Sequence, residues 1–278
     1  MSNIDNVINR ARQPGGFSER QQFTVARERA IRKMREFALA DPHFYILELI
    51  QAAVSNGGSH VHIEASKNGL EFTYVGGGYT REELAQLFDF LFAAKTDVAH
   101  SDVRQLALGV NALMLLEPDR IIIESGEGSL ESTDRIVISE NTDTVEVGTP
   151  DKPLRGTFIR AEGLDRGAVK GKSNLGWQDY GPPECTAIER RCLSAPIPII
   201  VNNEPVFGYS AQRTPVIFGY HDVVTFDEGD LYGSIGIPEH RHKQSFKLMT
   251  YGCWIESTEA AVMDEKRVGG VICYDRLN

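Results

Sequence analysis

Apolar residues recur at helical spacing along the first third of the chain. From about 19 to 40, Phe23, Ala26, Ala30, Met34 and Phe37 form one stripe and predict a helix, which Ser18 and Gln21 can cap as a reciprocal pair. Asp41-Pro42 ends it and opens a second helix, with Asp41 as the capping residue and Pro42 at the first helical position. The second helix carries "ELIQAAVSNGG" (48 to 58) and stops at Asn56-Gly57-Gly58. Most of it is apolar all round: Phe44, Tyr45, Ile46, Leu47, Leu49, Ile50 and Val54. One stripe differs, because Glu48, Gln51, Ala52 and Ser55 fall together on one face.

After residue 59 the period changes to two. "HVHIEA" alternates with Val61, Ile63 and Ala65 inward, Asn68-Gly69 signals a tight turn, and "LEFTYV" is the return strand. "GGGYTREEL" follows: three glycines, a Thr able to cap, and a helix over about 81 to 95. "KTDVAHSD" is a polar loop, and "VRQLALGVNALMLL" is another helix. "RIIIES", "RIVISE", "DTVEVG" and "GTFIRAE" read as four strands. This order predicts an α+β fold, a two-layer α/β sandwich with helices on one face of a mainly antiparallel sheet.

The polar, Gly-rich stretch over 166–182 predicts a domain boundary, giving a first domain over 1–165 and a second, smaller α/β domain over 166–278. A helix over about 183 to 194 leads into "PIPIIVNNEPVFGY", a strand, an Asn-Asn turn and a second strand. "LYGSIGIP", "SFKLMTYGCWIES" and "GGVICYD" follow as strands around one short helix. Residues 1–16 are polar, end in "PGG" and predict a loose arm.

Composition narrows the function classes. A length of 278 residues suits one large or two ordinary domains, and 41% hydrophobic content is enough for a core. A net charge of -10 argues against a nucleic-acid binder, which needs clustered Lys and Arg. There is no apolar run of membrane-spanning length, and "MSNIDNVINRAR" is not a signal peptide. Cys185, Cys192, Cys253 and Cys273 form no CxxC pair, so neither a zinc site nor a disulfide framework is indicated. The expectation is a soluble cytoplasmic protein without membrane or nucleic-acid partners.

An acid on a helix, a hairpin, a Gly-rich turn, a polar loop and a Gly-containing helix, in that order, resemble the GHKL ATPase superfamily of gyrase, the ninety-kilodalton heat-shock chaperones, histidine kinases and mismatch-repair ATPases. "ELIQAAVSNGG" stands at the family's first motif, E-L-x-x-N-x-x-D-A-G, and "FTYVGGGYTREEL" at its second, D-x-G-x-G. "QLALGVNALML" stands at the G-x-G helix, and Gly156-Thr157-Phe158-Ile159 at the closing "GT" strand. "FAAKT" is similar to the chaperones' lid entry, and "FKLMTYGCWIE" with "RVGGVICYDRLN" is loosely similar to their middle domain. The resemblance covers about 24 to 165 well and 185 to 278 loosely, and it implies a GHKL (Bergerat) fold of the chaperone type.

Carried over residue by residue, the resemblance makes Glu48 the catalytic base and places ATP or ADP and Mg²⁺ around Gln51, Ala52, Ser55, Tyr74, Gly76, Gly78, Lys95, Gly109 and Thr157. Read without the family, Glu48 is a salt-bridged carboxylate at the edge of the core, Gly76 to Gly78 a plain tight turn, Lys95 a solvated charge and Asn111 a capping or surface amide. Four chemical positions depart from the pattern. Ala52 replaces the Asn that holds Mg²⁺, and a methyl group cannot ligate a hard cation. Tyr74 replaces the Asp that reads adenine, Ser55 replaces a further Asp, and Ala107-Leu108-Gly109 replaces G-x-G.

Two functions follow from different classes. One is a chaperone-like binding, scaffold or regulatory module with a degenerate ATP site and at most weak nucleotide binding. The other is a working Mg-ATP-dependent ATPase whose metal and adenine contacts have moved to other residues, for example Gln51 or Asn56 for the metal. The resemblance implies a protein client or partner and a homodimer formed through a region outside this chain. In the resemblance the end at Leu277-Asn278 falls just before the chaperones' catalytic arginine, and the expectation is a fragment or else a protein that has dropped this arginine, the fragment being favoured. "GAVKGKS" (167 to 173) has the wrong spacing for a phosphate loop, and His60 with His62, or His240 with His242, lacks further ligands for zinc.

Overall fold

The computed structural model describes residues 27–37, 39–93, 98–139, 144–169, 182–192, 194–206, 214–239, 245–259, 261–263 and 266–275. Helix α1 spans Arg27–Phe37, and its one fully buried residue is Ile31. The expected Ser18–Gln21 cap lies outside the described residues. Asp41 accepts a hydrogen bond from the His43 amide at 3.0 Å and starts a 3-10 turn, Pro42–Phe44, that runs directly into α2, Tyr45–Ser55. Helix α2 buries Tyr45, Ile46, Leu47, Leu49, Ile50 and Ala53, and each large aliphatic side chain contributes about 1.5–3 kcal/mol by leaving water. It ends where expected: Asn56 is the cap, and Gly57 takes a left-handed φ of 73° that only glycine adopts freely.

Strands β1 (Val61–Ala65) and β2 (Gly69–Tyr74) form the expected antiparallel hairpin. Thr80 and Glu83 then close a reciprocal cap on α3, Arg81–Ala85. The helix expected over about 81 to 95 tightens early, because Leu87–Phe92 winds as 3-10 helix and buries Leu87, Phe88 and Leu91. Helix α4 covers Ser101–Leu113. The meander follows as β3 (Arg120–Glu127), β4 (Thr133–Ser139), β5 (Val145–Gly148) and β6 (Arg155–Glu162).

Helix α5, Pro183–Arg191, precedes β7 (Ile199–Val201) and β8 (Glu204–Pro205). These last strands lie beyond residue 165 and join the first sheet. β7 pairs parallel with β1 and β8 with β7, completing one sheet of order β5-β4-β3-β6-β2-β1-β7-β8. The edge of β1 needs a partner for its amides, and β7 supplies it, so the first unit runs on past 165. One face of this sheet, with Val61, Ile63, Leu70, Phe72, Ile121, Ile123, Ile136 and Ile159, shares a single core with α2, α4 and α5.

The second sheet contains β9 (Tyr220–Glu228), β10 (Leu231–Pro238), β11 (Ser245–Thr250), β12 (Cys253–Glu259), β13 (Ala261–Met263) and β14 (Lys266–Tyr274). Its order is β12-β11-β14-β10-β9, with β13 paired to β14. The short helix expected among these strands is not seen among the described residues. Its own core is small: Tyr232, Met249, Val271 and Cys273, with Ile217 and Trp254 against it. The protein is therefore of mixed α+β class with two sheets. Among the described residues, no helix is long and apolar enough to cross a membrane.

Candidate functional site

The polar stripe of α2 faces α4. The two helices approach closely because Gly109 has no side chain: a Cβ there would lie 2.6 Å from Leu49 Cδ2. Gly109 thus serves helix packing. On the stripe, Gln51 and Ala52 are buried, while Glu48 and Ser55 are half-buried. Ser55 Oγ turns back onto its own helix and donates to the Gln51 carbonyl at 2.8 Å. Burial around the Glu48 carboxyl raises its pKa from 4.5 to about 7, and the positive charge of Arg104 on α4 opposes this without cancelling it.

A carboxyl poised near neutrality can exchange a proton at physiological pH. Around it the helices keep polar atoms that have no hydrogen-bond partner among the described residues: Gln51 Oε1, Gln105 Oε1 and Arg104 Nε. Asn56 donates to Asp102 Oδ2 at 2.6 Å and ties the end of α2 to the start of α4. Its own Oδ1 is buried without a partner and would sit 2.6 Å from a Cβ at Gly77.

The three glycines after β2 meet protein backbone or side chains. A Cβ on Gly76 would lie 3.0 Å from Gly58 Cα, and one on Gly78 would lie 2.8 Å from the Gly126 carbonyl carbon. None of the three has positive φ, so close approach, and not turn geometry, requires them. The four amides from Gly77 to Thr80 are also committed. Gly77 donates to the Asn56 carbonyl at 3.1 Å, Gly78 to Glu127 Oε1 at 2.8 Å, Tyr79 to Ser125 Oγ at 2.8 Å and Thr80 to Glu83 Oε2 at 2.8 Å.

Tyr74 ends β2 with its ring inside the core, 1% exposed, against Gly58 and Gly76. Its hydroxyl accepts from Thr157 Oγ1 at 3.1 Å, and Thr157 Oγ1 is 2.8 Å from Ser125 Oγ. Burial raises the phenol's pKa, so it remains protonated. The hydroxyls of Ser125, Thr157 and Tyr74 form one internal chain across β3, β6 and β2.

The structure thus brings Glu48, Gln51, Ala52 and Ser55 together on α2, and Tyr74, Gly76, Gly78 and Thr157 together at the adjoining sheet end. Gly109 joins the first group through its packing on Leu49. Lys95 lies outside the described residues, as do His240, His242, Leu277 and Asn278. Asn111 is buried between helices, donating to the Ile31 carbonyl at 3.3 Å and accepting from Arg35 Nε at 3.2 Å. His62 Nε2 is 3.4 Å from Glu64, and among the described residues no group of three or more His, Cys, Asp or Glu could hold a metal.

The residues do not fit Mg-ATP as the resemblance would place it. Ala52 offers no oxygen, Tyr74 fills its own position, and the amides of Gly77, Gly78, Tyr79 and Thr80 are taken.

Sequence patterns missed three features. Arg104, whose charge acts on Glu48, belongs to none of the motifs. Arg191 lies 4.3 Å from the Phe44 ring centre and 5.0 Å from that of Trp254, and donates to the carbonyls of Trp254 at 3.0 Å and Ile255 at 2.9 Å, fastening β12 to α5 and the start of α2. Glu184 is fully buried. It accepts from Tyr45 Oη at 2.8 Å and from Arg166 Nε at 3.1 Å, with His43 Nδ1 at 3.5 Å. Burial alone would raise its pKa, but His43 and Arg166 hold it down at about 2. A local signal existed only for Arg166, in the Gly-rich stretch read as a linker. Compared with known families and with curated proteins, the chain matches no family model and no curated protein.

Proposed function

We propose that this chain is a chaperone-like module of GHKL type whose nucleotide site is closed by its own side chains, so that it binds protein partners as a scaffold or regulator and turns over little or no ATP. The observation that carries this is Tyr74. Its ring is buried at the position where the resemblance calls for an adenine-reading acid, and its hydroxyl is held by Thr157. A purine would have to displace a packed aromatic ring, whose removal from a core costs about 3–5 kcal/mol. Ala52 adds to this, because metal neutralisation of phosphate charge supplies several kcal/mol of such catalysis. The acidic net charge of -10 suits a protein partner better than a nucleic acid.

The buried, unpartnered oxygens of Gln51 and Asn56 favour a second function, an ATPase with a relocated metal contact. Steady-state phosphate release by the purified chain with Mg-ATP separates the two. A rate at background supports the scaffold. A clear rate that Glu48→Gln abolishes establishes the ATPase instead.

A further inference from the structure

Two cysteines far apart in sequence meet where the second sheet rests on the first unit. Cys192 closes the C-terminus of α5, and Cys253 opens β12. They are 61 residues apart, their sulfurs are 3.6 Å apart, and both are buried. Both backbones are held. The Cys192 amide donates to the Ile188 carbonyl at 2.8 Å, and Gly252, next to Cys253, packs on the backbone of Ser194 and Ala195 so tightly that no side chain would fit. Cys253 Sγ also reaches to 4.0 Å from the Leu47 carbonyl of α2, one residue before Glu48.

We propose that Cys192 and Cys253 form a reversible disulfide that locks β12 onto α5 beside the helix carrying Glu48. Roughly 1.5 Å of closure separates the present sulfur spacing from a bonded S–S pair. A small peroxide is the class of oxidant suited to a buried pair. One thiol is oxidised by hydrogen peroxide to a sulfenic acid, breaking the O–O bond and releasing water. The second sulfur attacks the first, the S–O bond breaks, and hydroxide leaves with the second thiol's proton as another water. Two thiols are oxidised, one peroxide is reduced, and a thiol reductant restores the pair. Cys185 and Cys273 are buried elsewhere in the packing and take no part.

The test treats the folded full chain with hydrogen peroxide, blocks remaining thiols with an alkylating agent in denaturant, and maps the peptides by mass spectrometry. The expected result is one cross-linked species joining Cys192 to Cys253, lighter by two hydrogens before alkylation. It should melt higher than the reduced protein, and the shift should reverse with dithiothreitol. Cys185→Ser should leave the cross-link unchanged and Cys253→Ser should abolish it, while the wild-type map decides the pairing without any variant. Four alkylated thiols, a sulfinic acid at either position without a cross-link, or a different pairing would overturn the proposal. A correct cross-link with an unchanged or lowered melting temperature would overturn the locking.

Discussion

At the scale of single residues, one site group has a proton affinity far from its ordinary value. Glu48 carries the clearest consequence. Its folded pKa of about 7 lies above its ordinary 4.5, so the folded protein holds this proton more tightly than the unfolded chain. Stability from this group is therefore complete below pH 4.5, is lost as the pH rises toward 7, and stays lost above it. Glu48→Gln should stabilise the protein by about 1–3 kcal/mol above neutrality and have little effect at acid pH, as read from urea unfolding at several pH values. A variant less stable than wild type at alkaline pH would show that charged Glu48 is well paired. Glu184 behaves oppositely. Its pKa is depressed to about 2, so its contribution is full above 4.5 and is lost as the pH falls toward 2. Glu184→Gln leaves Arg166 buried without its counter-charge and should cost about 3–5 kcal/mol at neutral pH in the same measurement.

At the scale of elements, local chemistry was legible wherever a short-range rule decided the outcome. Asn68-Gly69 and alternating residues on either side mark the hairpin, Gly57 marks the end of α2, and the capping Thr80 marks the start of α3, with Glu83 completing the cap in the structure. The departures at Ala52 and Tyr74 were equally plain in the sequence. The task of the glycines was not, because close approach depends on what lies opposite. Gly78 meets Gly126 of β3, and Gly109 meets Leu49 of α2. Gly78→Ala should therefore destabilise the fold by about 1–3 kcal/mol whether or not nucleotide is present, as read from thermal unfolding. Unchanged stability would return Gly78 to the role of an open turn.

The whole molecule shows where sequence patterns gave out. β7 falls within the stretch read as a second domain over 166–278, since nothing in "PIPIIV" says that its partner is β1. The buried contacts of Glu184 and the meeting of Cys192 with Cys253 are likewise set by long-range packing. What these contacts build is a first unit whose site-bearing helix is braced by the second sheet, through Arg191 and the ring of Trp254. In the proposed function the stripe of α2 is part of a seam, with the buried Tyr74 filling the neighbouring sheet end. Calorimetric titration of the purified full chain with ATP and with ADP, each with and without Mg²⁺, tests this closure most directly. A closed site gives no saturable heat, or only weak binding that Mg²⁺ does not strengthen. Tight, Mg²⁺-dependent binding of ATP with one site per chain would contradict it.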